Sequence, residues 1–144
     1  MQMLQSDMAG DTPVSLDDAL TAAMQSVPNC VAAGYIDMQT GFLLGLEGRD
    51  DDSMAALENM STSIANLILG QGISAFEKLL SSGEESQGSG FGEIAIYSGD
   101  RLYLLLRRAD QPDHVVCFVS KGHTNVGLAL AKSTSKMNMI SAAV

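Results

Sequence analysis

His114 and His123 are the only side chains of the type that titrates near neutral pH, and so the only ready general bases in this sequence. Together with Cys117 they form a run with metal-like spacing. Positions 114 and 117 differ by an odd number, however, so on a strand the two side chains point to opposite faces. Ser133-Thr134-Ser135-Lys136 matches an S-x-x-K pattern, but it stands at a polar helix end and its partner motifs are missing. Gly88-Ser89-Gly90-Phe91-Gly92 is glycine-rich yet precedes a strand, whereas a phosphate-cradling loop follows a strand and opens a helix. No G-K-[ST] occurs. Cys30 and Cys117 each lie in an apolar stretch and read as small buried hydrophobes rather than a bridge. Arg107 and Arg108, at a strand end before a polar loop, read as solvated. The expectation is a protein with no catalytic residue, no metal site and no cofactor.

Composition narrows the classes further. The chain has 144 residues, 46% hydrophobic and 17% charged, which fits one folded domain rather than a disordered segment. Its net charge of −9 argues against nucleic acid as a partner and against a polybasic membrane surface. Residues 1–72 carry ten carboxylates and only Arg49 as a base, while residues 73–144 carry seven acids and seven bases. Such a half is either a solvated surface or a docking face for a basic partner. No apolar run approaches the length of about 18 residues that a membrane span needs, and the first residues lack a signal-peptide pattern. A cytoplasmic protein is expected.

The elements that must position these residues follow from periodicity. Residues 1–14 read as a flexible leader. Ser15 reads as an N-cap, with Leu16, Ala19, Leu20, Ala23 and Val27 at helical spacing up to Pro28-Asn29. Cys30–Asp37 and Phe42–Glu47 read as strands joined at Gly41, the first apolar on both faces and therefore central in the sheet. Asp50, Asp51 and Asp52 stand where anions favour a helix start. The long helix that follows has Met54, Leu57, Met60, Ile64, Leu67 and Ile68 as its stripe. A further helical piece is expected at Ile73–Leu80 and a loop at Ser81–Gly90. Three strands come next, Phe91–Ser98, Arg101–Arg107 and His114–Ser120, linked by Gly99-Asp100 and by a loop containing Pro112. A last helix begins near Asn125 and runs towards Lys136, and 137–144 either extends that helix or forms a C-terminal tail, with the domain bounded at 15–136. The fold class is α+β, an α/β sandwich in α-β-β-α-β-β-β-α order. Its five-stranded, mostly antiparallel sheet has the long helix on one face and the terminal helices on the other.

Several phrases carry a resemblance: Gly34-Tyr35-Ile36-Asp37 through Gly41-Phe42-Leu43-Leu44, the strand pair IAIYSGDRLYLLLRR, and VVCFVS followed by Asn125-Val126-Gly127-Leu128-Ala129. With the order of elements, they resemble the Roadblock/LC7 family, including its MglB-like prokaryotic members, over about residues 15–136. The sequence departs from the family pattern at 70–90, where an extended insertion replaces a short link. The resemblance implies a non-enzymatic homodimer, paired through the third strand and the long helix. It also implies that this dimer binds or regulates a Ras-like small GTPase or serves as a scaffold in a signalling or motor complex. Mapped onto this chain, Phe91–Ser98 is the edge strand and Met54–Leu69 the helix beside the dimer axis.

The residues independently allow the same surface. Ile94 and Ile96 on a potential edge are a liability for a monomer, which either a second copy or the chain's own insertion would cover, and Met54 and Met60 are adaptable contact residues. With Leu57 and Ile64, these four make up the expected dimer or partner interface. The competing reading is a small-molecule sensor of profilin- or PAS-like architecture, with an internal pocket lined by Phe42, Tyr103 and Phe118.

Overall fold

The computed structural model describes residues 15–69, 79 and 92–144. Its elements are α1 (Leu16–Ser26), β1 (Cys30–Asp37), β2 (Phe42–Gly48), α2 (Asp51–Leu69), β3 (Glu93–Ser98), β4 (Arg101–Arg107), β5 (His114–Lys121), α3 (Val126–Thr134) and α4 (Met137–Ala142). The expected leader 1–14, the insertion 70–90 apart from Leu79, and Phe91 lie outside the described residues.

Local chemistry accounts for the element ends. The Ser15 hydroxyl accepts a hydrogen bond from Asp18 N at 3.1 Å, satisfying one of the orphan amides that open α1. Beyond the C-terminal end of α1, Asn29 takes a left-handed φ of 55° that turns the chain into β1. The β1–β2 turn closes at Gly41, where φ is 78° and an added Cβ would meet the α2 residue Thr62 within 3.0 Å. At the start of α2, Asp50 Oδ1 accepts from Asp52 N at 3.0 Å and Ser53 N at 3.4 Å. The same carboxylate reaches the sheet, accepting from Arg101 Nη2 at 3.2 Å and lying 3.9 Å from Lys121 Nζ.

The five strands are antiparallel in the order β2-β1-β5-β4-β3. β1 is interior, as its two apolar faces require, but the middle strand is β5, buried continuously from Val115 to Ser120. One layer packs α1, α3 and α4 over Tyr35, Leu102, Leu104, Leu106, Val116 and Phe118. The other packs α2 through Leu57, Ile64 and Ala65 onto Ile36, Leu105, Val115, Cys117 and Val119. Cys30 and Cys117 are both buried free thiols, one in each layer.

The end of the chain is more ordered than a tail. α3 stops at Thr134 rather than continuing to Lys136, because Ser133 and Ser135 direct their hydroxyls back to helix carbonyls and loosen the last turn. The chain then turns into α4, whose Ile140 is fully buried in the α1 layer. Among the described residues, no helix is long and apolar enough to cross a membrane.

α1 comes down on the sheet at Gly45, where a Cβ would lie 2.8 Å from Leu16 Cδ2 and 3.1 Å from Leu20 Cδ1. Gly45→Val forces that layer apart. It is expected to cost about 1–3 kcal/mol, measured as a lower denaturation midpoint with an unchanged slope.

Candidate functional site

The interface expected from sequence maps onto two elements on one face of the sheet, α2 and the edge strand β3. β3 hydrogen-bonds only to β4, so its other edge is open among the described residues. Along β3 the side chains alternate. Ile94 and Ile96 fall on the α2 side of the sheet, Ile94 half-buried and Ile96 37% exposed, with Tyr103 opposite Ile96 on β4. α2 packs mainly across β1 and β2, at the other end of that face. The part of the face carrying Ile94, Ile96 and Tyr103 is therefore only partly covered.

Of the α2 residues, Met54 and Met60 are half-buried at the margins of the helix. Leu57 and Ile64 lie at the centre of the same stripe, 0% and 4% exposed. Their stripe covers the sheet of the same chain and holds the helix in place from beneath. The outer face of α2 shows Asp51, Asp52, Glu58 and Leu67 to solvent, and the helix has no Lys or Arg.

The residues that were candidates for chemistry are dispersed or locked. His114 and Cys117 lie on opposite faces of β5, as the odd spacing required, and His123 lies beyond the far end of that strand. Ser133 is fully buried and donates to the carbonyls of Ala129 at 2.8 Å and Leu130 at 3.1 Å, turned away from solvent. Burial pushes the Cys30 thiol up to about 11 and raises that of Cys117 further, so neither supplies a thiolate near neutral pH. The pocket expected from Phe42, Tyr103 and Phe118 does not form. Phe118 is buried in the α1 layer, Tyr103 faces the α2 layer, and Phe42 stands 67% exposed on edge strand β2. A cavity of about 610 Å³ does open where β3 and β4 meet α3 and α4, and none of these three aromatics lines it.

One polar cluster escaped the sequence reading. Arg108 is not solvated: its guanidinium forks onto Asp110 at 3.0 and 2.7 Å and donates from Nη1 to Tyr35 Oη at 2.8 Å. Tyr35 Oη in turn lies 2.7 Å from His114 Nδ1, the two rings meeting edge to face. Burial raises the Tyr35 phenol above its ordinary value, a shift that the Arg108 cation only partly offsets. The Arg108 hydrogen bonds hold the Asp110 carboxyl below the usual carboxylate range. Tyr35 and Asp110 are thus held in their resting protonation states, the reverse of an activated nucleophile. The Arg108-x-Asp110 spacing was the only sequence trace of this cluster.

No family model matches the sequence, and no curated protein is similar enough to it to count as a relative. Solved structures do superpose. The Roadblock/LC7 domain from Streptomyces avermitilis aligns with a TM-score of 0.63 at 12% identity, covering 89% of this chain and 96% of that one. MglB from Myxococcus xanthus aligns at 0.68 and 10% identity over 88% and 85% of the two chains. The gliding protein MglB from Thermus thermophilus aligns at 0.68 and 14% identity over 89% and 87%. The chain therefore has the Roadblock/LC7 fold, with an MglB-like arrangement of its elements.

The raised Tyr35 phenol predicts an alkaline limb of stability. A phenol whose folded-state pKa exceeds its unfolded one stabilises fully below the unfolded value, about 10, and loses that contribution as pH rises through the folded one. Tyr35→Phe is expected to destabilise at pH 8, by leaving the Arg108 and His114 nitrogens short of a partner. The gap to wild type should then narrow above about pH 10, read as Tm against pH for both proteins.

Proposed function

We propose that this chain is a non-enzymatic homodimeric regulator or scaffold that binds a Ras-like small GTPase or a signalling complex in the cytoplasm. The observation that carries this reading is the open edge of β3 together with the partly uncovered face beside α2, bearing Ile94, Ile96 and Tyr103. A second copy would add its own β3 to that edge and bury the exposed isoleucine. Met54 and Met60 at the margins of α2 would meet the partner subunit, with Leu57 and Ile64 supporting the helix from below.

The dimer would then present two long helices whose outer faces carry Asp51, Asp52 and Glu58 without a compensating cation. Such a surface suits a partner with a basic patch. A regulator of this kind acts by favouring one conformation of the GTPase, shifting its populations without bond chemistry of its own. The similarity to MglB structures supports the fold on which this reading rests.

Two measurements test it. Light scattering after size exclusion should give twice the chain mass for wild type and the single mass for Ile96→Lys, with an unchanged circular dichroism spectrum. A dimer that survives Ile96→Lys removes the edge-pairing model. A pull-down with GDP and with a non-hydrolysable GTP analogue should enrich a small GTPase in one nucleotide state; equal recovery in both, or none, argues against the regulatory half of the proposal.

A further inference from the structure

At the opposite end of the sheet from the Arg108 cluster, cations converge. Arg101 and Lys121 are direct cross-strand neighbours on β4 and β5, a like-charge pair that is unfavourable unless an anion lies between them. Asp50 is that anion, 3.2 Å from Arg101 Nη2 and 3.9 Å from Lys121 Nζ. The preceding residue along the chain, Arg49, is exposed and makes no ion pair among the described residues. Arg101 and Lys121 thus share the Asp50 carboxylate, while Arg49 beside it has no ion-pair partner among the described residues.

Beside them lies a hollow of about 400 Å³, lined by Asn29, Cys30, Val31, Arg49, Lys121 and Gly122, with no carboxylate among its walls. Its frame is fixed by the backbone. Asn29 and Gly122 are both left-handed, with φ of 55° and 72°, and Lys121 N donates to Asn29 O at 3.0 Å. The Asn29 amide donates to Thr124 Oγ1 at 3.2 Å and Arg49 N to Val31 O at 2.8 Å, which pins two further walls. Lys121 is half exposed at the rim. Nearby, Arg101 Nε and Ser120 Oγ are both enclosed without a hydrogen-bond partner among the described residues.

We propose that this notch binds an oxyanion, a carboxylate or phosphate group, between the Arg49 guanidinium and the Lys121 ammonium. The planar guanidinium offers a two-pronged set of donors and the ammonium a mobile point charge, a pairing suited to either anion. The incoming group would give Arg49 the anionic partner it lacks among the described residues. The site uses neither the β3 edge nor the outer face of α2, so it stands or falls independently of the dimer.

The test is an amide-resonance titration of the isotopically labelled full chain with inorganic phosphate, against chloride at matched ionic strength. Saturable shifts are expected at Cys30, Val31, Arg49 and Gly122. Arg49→Gln is expected to weaken binding by about tenfold, the scale of one charge-assisted hydrogen bond. The double variant Arg49→Gln/Lys121→Gln should abolish it. Both residues reach solvent, so these variants should keep the wild-type spectrum elsewhere. A parallel titration with hexaglutamate separates the two sources of the anion. Tighter binding than phosphate assigns the notch to an acidic protein segment, and weaker binding assigns it to a small free anion. Shifts that do not saturate, or that persist in the double variant, overturn the proposal.

Discussion

Asp50 is a single carboxylate that α2 and two strands of the sheet depend on. One oxygen takes the first amides of the helix, and the other takes the Ser53 hydroxyl and the Arg101 guanidinium. Its second role is to separate Arg101 from Lys121, whose strands would otherwise bring two like charges face to face. Partial burial works against the anion, but the Ser53, Asp52 and Arg101 hydrogen bonds outweigh it and hold its carboxyl below the usual carboxylate range. Helix start and sheet are thereby joined at one atom group. The layer of Ile36, Val115, Cys117 and Val119 needs α2 above it to stay dry.

What α2 covers also decides what it leaves uncovered. Its inward stripe is consumed by β1, β2 and the centre of the sheet, and the β3 end of the same face keeps apolar side chains within reach of solvent. The opposite face is closed by three helices, α4 included. Among the described residues, the face beside the outer edge of β3 keeps Ile96 partly exposed. The polar clusters at the two ends of the sheet serve different purposes. The Arg108 group is internally balanced and ties β1 to the chain around β4 and β5, whereas the other end gathers Arg101 and Lys121 about the Asp50 carboxylate.

The element order as far as α3, the limits of β1 and β4, the capping of α1, the start of α3 and the division of helices between the faces were legible in the residues. Each rests on a local rule: an alternation of two along Arg101–Arg107, a spacing of three and four along Leu16–Val27, a cap at Ser15. The interface was legible only as a set of apolar positions. Periodicity marks Leu57 and Ile64 as apolar in the same way as Met54 and Met60, and it does not say which of them one chain uses up itself. The end of the chain was misread for a related reason. Met137, Met139 and Ile140 are a short apolar group after a helix stop, and packing against the α1 layer turns Met137–Ala142 into structure.

The sequence by itself determined the helices and strands from α1 to the start of α3 among the described residues, and that helices lie on both faces of the sheet. Only the tertiary structure decided the strand order β2-β1-β5-β4-β3, with β5 rather than β1 at its centre. It also decided the bonds from Asp50 to Arg101 and from Arg108 to Tyr35, which join residues 51 and 73 positions apart. Local rules act over a few residues, through backbone torsions and side-chain period. Contacts across such separations depend on register and on which face each strand turns inward, and these emerge only when the two layers pack together.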